Sequence, residues 1–106
     1  MKYNVVIIQD GEYKKIKLPR EVAIVEYVLS DMESFRSPIF LDFINRVLDG
    51  KSAFERIGGN ICSLEINKDI TVIYTDFPDD EGRIETSELK NIIDLWVAEN
   101  KNILHH

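Results

Sequence analysis

The chain has 106 residues, 44% of them hydrophobic and 30% charged, with a net charge of −6. That length fits one domain, which buries roughly two-thirds of its unfolded surface without disulfide or metal staples. The acidic balance argues against a nucleic-acid-binding surface, which needs clustered Lys and Arg. No apolar run approaches the roughly 18 residues a membrane span needs. Met1 to Ile8 lacks the long apolar segment and small-residue cleavage site of a signal peptide, and the single cysteine fits a reducing cytoplasm.

Tyr3 to Gln9 centres on Val5-Val6-Ile7-Ile8 and predicts a well-buried strand over 3–9. Asp10-Gly11 is a hairpin signal, and a second strand is expected over 12–18. Lys14, Lys15 and Lys17 on that strand read as protection of a sheet edge against intermolecular pairing. Pro19 suits a first helical position. The segment 20–32 is β-branched enough for a strand, yet Val22, Val25, Val28, Leu29 and Met32 form one helical stripe, and a helix is expected.

Ser37-Pro38 opens a second predicted helix, 38–49, with Ser37 as N-cap and Gly50 in the C′ position. Its buried face is Phe40, Phe43, Ile44, Val47 and Leu48. After Phe54 and Ile57, Gly58-Gly59-Asn60 reads as a turn made of residues that tolerate positive φ. Strands are expected over 61–67 and 70–76. Asp76-Phe-Pro-Asp-Asp-Glu-Gly82 is a loop by composition. Thr86 or Ser87 then caps a helix over 86–99, with Leu89, Ile92, Ile93, Trp96 and Val97 on its apolar face.

The expected fold is therefore α+β in the order ββααββα: two hairpins in one mostly antiparallel sheet, covered by about three helices. Residues 1–104 are expected to form a single domain. His105 and His106 read as a tag remnant.

Chemistry is hard to find in this chain. Cys62 lies on the apolar face of a strand with Leu64 and Ile66. It reads as a small buried hydrophobe, with a serine in its place leaving an unsatisfied hydroxyl. Apart from His105 and His106 the chain has no histidine to serve as a base, which disfavours a hydrolase. Gly58-Gly59 precedes a strand rather than a helix and lacks the lysine of a phosphate loop. Glu55, Glu65 and Asp69 have no spacing suited to paired-carboxylate chemistry. No cofactor and no metal are expected. An EF-hand starting at Asp76 would have Pro78 and Ser87 at ligand positions.

One anomaly stands out. Residues 1–50 hold 7 basic and 8 acidic side chains, whereas 51–106 hold 6 and 11, and most of the excess is Asp76, Asp79, Asp80, Glu81, Glu85 and Glu88. Charge runs are commonly just solvated faces, and Glu88 also suits a helix N-terminus. The functional alternative is a surface that docks a basic partner protein.

Phe40 to Gly50, then Gly59-Asn60-Ile61-Cys62-Ser63-Leu64-Glu65-Ile66, then Ile84 to Leu89 with Trp96, resemble a family of small bacterial proteins. These are the immunity or antitoxin proteins of polymorphic-toxin and contact-dependent growth inhibition systems. The resemblance spans roughly residues 20–100 of one domain. It rests on turns and core positions, not on chemistry. It implies a non-catalytic cytoplasmic inhibitor, whose partner is a cognate basic toxin domain, commonly a nuclease, blocked by direct contact. The six acids would then be part of the docking surface. The other reading of the same surface is a regulatory or assembly domain that binds a different basic protein.

Overall fold

The structure, a computed structural model, describes residues 1–104, so the two histidines lie outside the described residues. Its strands are β1 (Val6–Asp10), β2 (Tyr13–Lys17), β3 (Phe54–Gly58), β4 (Cys62–Asn67), β5 (Ile70–Asp76) and β6 (Asp79–Glu85). Its helices are α1 (Val25–Phe35), α2 (Leu41–Leu48) and α3 (Thr86–Asn100), with a short 3₁₀ turn at Arg20–Val22. The chain folds as one α+β domain of hairpin, two helices, hairpin, helix. Two further strands, β3 and β6, flank the second hairpin.

The strands form two antiparallel sheets rather than one. β1 and β2 make a ribbon, and β3-β4-β5-β6 make a meander in sequence order. In the meander Leu64 pairs with Ile73 and Ile73 with Gly82. Cys62, Leu64, Ile66, Thr71, Ile73, Thr75 and Ile84 are buried on the inner face, as period-two alternation requires. All three helices pack on this sheet, and β2 packs against α1 and α3. Trp96 of α3 is fully buried and stacks on Tyr13 of β2, ring centroids 6.0 Å apart at 10°. Its indole N–H has no hydrogen-bond partner among the described residues. Gly82 lets the chain before α1 approach the sheet: a Cβ there would lie 2.7 Å from Ile24 Cγ2.

Several expectations change. β1 is not buried; all five of its residues are exposed, because β2 is the strand of the ribbon that packs substantially against the helices. The expected helix over 20–32 divides into the 3₁₀ turn and α1, and Pro19 precedes the turn in extended backbone with ψ 159°. The apolar stripe itself holds, with Val22, Val25, Val28, Leu29 and Met32 all buried. Ser37 does not cap α2. It closes α1 instead: Arg36 takes a left-handed φ of 53°, and the Ser37 N–H donates to the Met32 carbonyl at 3.2 Å. α2 begins only at Leu41, and Gly50 follows its end with φ 78° as expected.

The segment 79–82 is not loop but the first half of β6, paired with β5 from Asp76↔Asp79 to Ile70↔Glu85. Its backbone bonds to β5 regardless of side-chain polarity, so composition was a poor guide. Thr86 caps nothing. It is buried, its hydroxyl donates to the Asn67 carbonyl at 2.5 Å and meets Thr71 Oγ1 at 2.8 Å, and Glu85 holds the N-cap position without a side-chain bond.

Candidate partner-binding surface

The β5–β6 hairpin turns through two residues, Phe77 and Pro78, joined by a cis peptide bond. A cis proline at the third position of a tight turn is the geometry of a type VI turn. The Thr75 hydroxyl braces it, donating to the Pro78 carbonyl at 2.6 Å. Phe77 projects from the tip and is 95% exposed. Asp76, Asp79, Asp80 and Glu81 surround it, all exposed. Together with Tyr74 and Thr75 they line a shallow concavity of about 360 Å³.

None of these four acids forms an ion pair among the described residues. Asp76 and Asp79 stand directly opposite each other in the ladder, an arrangement of like charges that costs local stability. Only Asp80 is partly occupied, accepting the Glu81 N–H at 2.9 Å. Farther along the same face the Tyr74 hydroxyl donates to Glu65 Oε1 at 2.7 Å, which holds the phenol in its protonated form and raises its pKa.

Glu85 and Glu88, grouped with these acids in the sequence, are not part of the tip. Glu85 ends β6, six residues from Asp79, or roughly 20 Å along a strand. The N-terminal segment engages both. Lys2 Nζ and the Tyr3 hydroxyl donate to Glu85, the latter at 2.6 Å, and the Lys2 N–H donates to Glu88 Oε1 at 2.9 Å. The Lys2 and Tyr3 bonds hold the Glu85 carboxyl down at about 2. The structure thus separates the six acids into four with no ion-pair partner around an aromatic tip and two that pin the N-terminus.

Phe77 was not singled out in the sequence. Its signal was there: an aromatic residue before proline, between acids, too short a segment to reach the core. A second concavity, about 440 Å³, lies between β2 and α1 and includes Ala23, Tyr27 and Ile61. The ion pairs Lys15–Glu33 and Lys17–Glu26 cross its rim.

Cys62 is buried, and its thiol lies 3.2 Å from Asp31 Oδ2. Burial first, and the neighbouring carboxylate second, push the thiol pKa far up, so it is no nucleophile. Among the described residues no group of three or more His, Cys, Asp or Glu side chains is placed to hold a metal ion. No described helix is long and apolar enough to cross a membrane.

A protein from Bacillus cereus described as "Immunity protein" is 33% identical over 103 residues, spanning 93% of this chain and 87% of that protein. The chain belongs to the immunity-protein family. No family model and no solved structure matches it.

Proposed function

We propose that this protein is a non-catalytic inhibitor that binds and blocks a cognate toxin by direct contact, and that the toxin is a nuclease whose basic cleft receives the β5–β6 hairpin tip. The relative's name supports the toxin partner. The observation that carries the finer reading is the tip itself, with Phe77 at 95% exposure among four acids that have no ion-pair partner. Interfaces concentrate their energy in a few aromatic anchors, and charge complementarity speeds encounter. A nuclease cleft is basic because it binds phosphates. An acidic tip occupies the phosphate path, and Phe77 fills an apolar recess beside it. Inhibition then follows from occupancy alone.

The test is association kinetics of the full chain with the product of the adjacent gene across a salt series. The wild-type on-rate falls as salt rises, and reversal of Asp79, Asp80 and Glu81 to Lys abolishes that dependence while the fold persists. A triple reversal that binds as fast as wild type would place the interface elsewhere.

A further inference from the structure

The β1–β2 ribbon has two outer edges, and the chain treats them differently. On the β2 side the Lys14 N–H donates to Asn100 Oδ1 at 2.8 Å, and Asn100 Nδ2 donates to the Lys14 carbonyl at 2.9 Å. The Leu18 N–H donates to Glu26 Oε2 at 2.9 Å. Side chains of the same molecule therefore close that edge. These bonds also fix the ribbon's parity. Backbone groups of successive strand residues alternate between the two sides, so Lys14 turns away from β1, and Tyr13, Lys15 and Lys17 turn towards it. Their partners are Asp10, Ile8 and Val6. Ile7 and Gln9 then aim their N–H and C=O groups out of the far edge, where no strand of the described residues lies.

That open edge is apolar. Val6, Ile7 and Ile8 are 61%, 40% and 37% exposed, and no residue from Tyr3 to Gln9 carries a formal charge. Edge strands are ordinarily guarded by charge, proline, a bulge or a covering element. The meander's edges follow that rule: β3 carries Glu55 and Arg56, and β6 carries Asp79, Asp80, Glu81, Arg83 and Glu85. The ribbon's lysines sit on β2, one strand away from the edge that needs them.

We propose that this edge joins two copies of the chain, with β1 pairing antiparallel to β1 of the second copy about a two-fold axis through Ile7. Parity admits only registers that match odd positions to odd positions. Centred on Ile7, Val6 meets Ile8, Val5 meets Gln9, and Asp10 meets Asn4, so no charge faces a like charge or an apolar side chain. Centring on Gln9 would set Asp10 against Ile8. Centring on Val5 would set Lys2 against Ile8 and pull it from Glu85. Centring on Ile8 would set Asp10 against Val6, and centring on Val6 would carry Lys2 to Asp10 and away from Glu85. Ile7 is thus the centre that avoids charge conflict and leaves Lys2 on Glu85. The two ribbons merge into a four-stranded antiparallel sheet of order β2-β1-β1-β2, an isologous interface.

The experiment is sedimentation velocity of the full chain over the micromolar range at low and high salt. The expected result is a mass that rises from one chain to two with concentration and persists at high salt, because the contact is apolar and backbone-mediated. Ile7→Lys, which places like charges across the two-fold axis, stays at one chain with an unchanged circular dichroism spectrum. Val6→Lys, at the most exposed of the three positions, gives the same reading should the first variant fold poorly. A wild-type protein that remains one chain to its solubility limit overturns the proposal, as does an Ile7→Lys protein that dimerises like wild type. A monomeric wild type whose Ile7→Lys variant loses binding to the adjacent-gene product also overturns it, and assigns the edge to a different protein.

Discussion

The carboxylate of Asp31 occupies the space that a side chain on Gly59 would need. A Cβ at Gly59 would run into Asp31 Oδ2, lie 2.8 Å from its Cγ, and lie 3.1 Å from Phe40 Cζ. Asp31 cannot move aside easily. It is 1% exposed and accepts the N–H groups of Ile61 at 3.1 Å and of Cys62 at 3.2 Å. Gly59 is there for close approach, not for positive φ, which only Gly11 and Gly50 adopt among the glycines. Gly59→Ala is expected to cost about 1–3 kcal/mol as an overpacked site. Gly58→Ala, whose Cβ would find nothing nearer than Ser63 Cβ at 3.9 Å, is expected to cost little or to stabilise slightly. Urea denaturation of the two variants side by side checks the contrast, and equal costs would refute it.

Asp31 also changes what Cys62 variants should do. A serine at this position is not left without a partner, since Asp31 Oδ2 already receives the thiol. Cys62→Ser is therefore expected to cost about 1 kcal/mol or less, whereas Asp31→Ala strands two backbone donors and costs about 3 kcal/mol. The raised thiol pKa predicts that native protein resists alkylation at mildly alkaline pH and reacts only at the rate of unfolding. Labelling that is rapid and independent of denaturant would contradict the burial.

The parts of the fold legible in the sequence were those with a strong apolar period. β4, β5 and α3 fell close to their expected bounds because Cys62-Leu64-Ile66 and the Leu89–Trp96 stripe have no other way to be buried. β3 was invisible: in Phe54-Glu55-Arg56-Ile57-Gly58 the inward positions are Glu55 and Ile57, so no apolar alternation exists to read. β6 was hidden by its acids and glycine, although backbone pairing with β5 needs none of its side chains to be apolar. β1 misled in the opposite direction, since an apolar run predicts burial only where something covers it. The acidic cluster was legible as composition, but its division into an open tip and an N-terminal pin depends on Lys2 and Tyr3, some 80 positions away.

Glu85 gives a pH signature. Its carboxyl ordinarily titrates near 4.5, and the bonds from Lys2 and Tyr3 hold it near 2 in the folded protein. A depressed carboxylate stabilises the fold above its unfolded value, and that contribution is lost as pH falls through the window towards the folded value. Glu85→Gln should therefore be less stable than wild type by a constant margin at neutral pH. The margin should close as pH drops from about 4.5 to about 2. Chemical denaturation of both proteins through this range reads it directly. A margin that ignores pH would mean the carboxylate's charge plays no part.

The hairpin tip separates two contributions that the sequence had merged. The four acids act at a distance, so their reversal should mainly lower the association rate, by about tenfold or more at low salt, with a smaller effect at high salt. Phe77 acts only in contact. Phe77→Ala should leave the association rate near wild type and accelerate dissociation, with a loss of about 2 kcal/mol or more if the ring is the buried anchor. Neither change should disturb the fold, because Phe77 is 95% exposed and touches no core element. Glu85 and Glu88, pinned to the N-terminal segment, serve as the internal control. Glu85→Gln should lower stability and leave both rate constants unchanged. Surface plasmon resonance with the adjacent-gene product, run on the three variants at two ionic strengths, distinguishes these outcomes. A Phe77→Ala protein with a wild-type dissociation rate removes the aromatic tip from the interface, and a Glu85→Gln protein with a slowed association rate restores the undivided acidic surface.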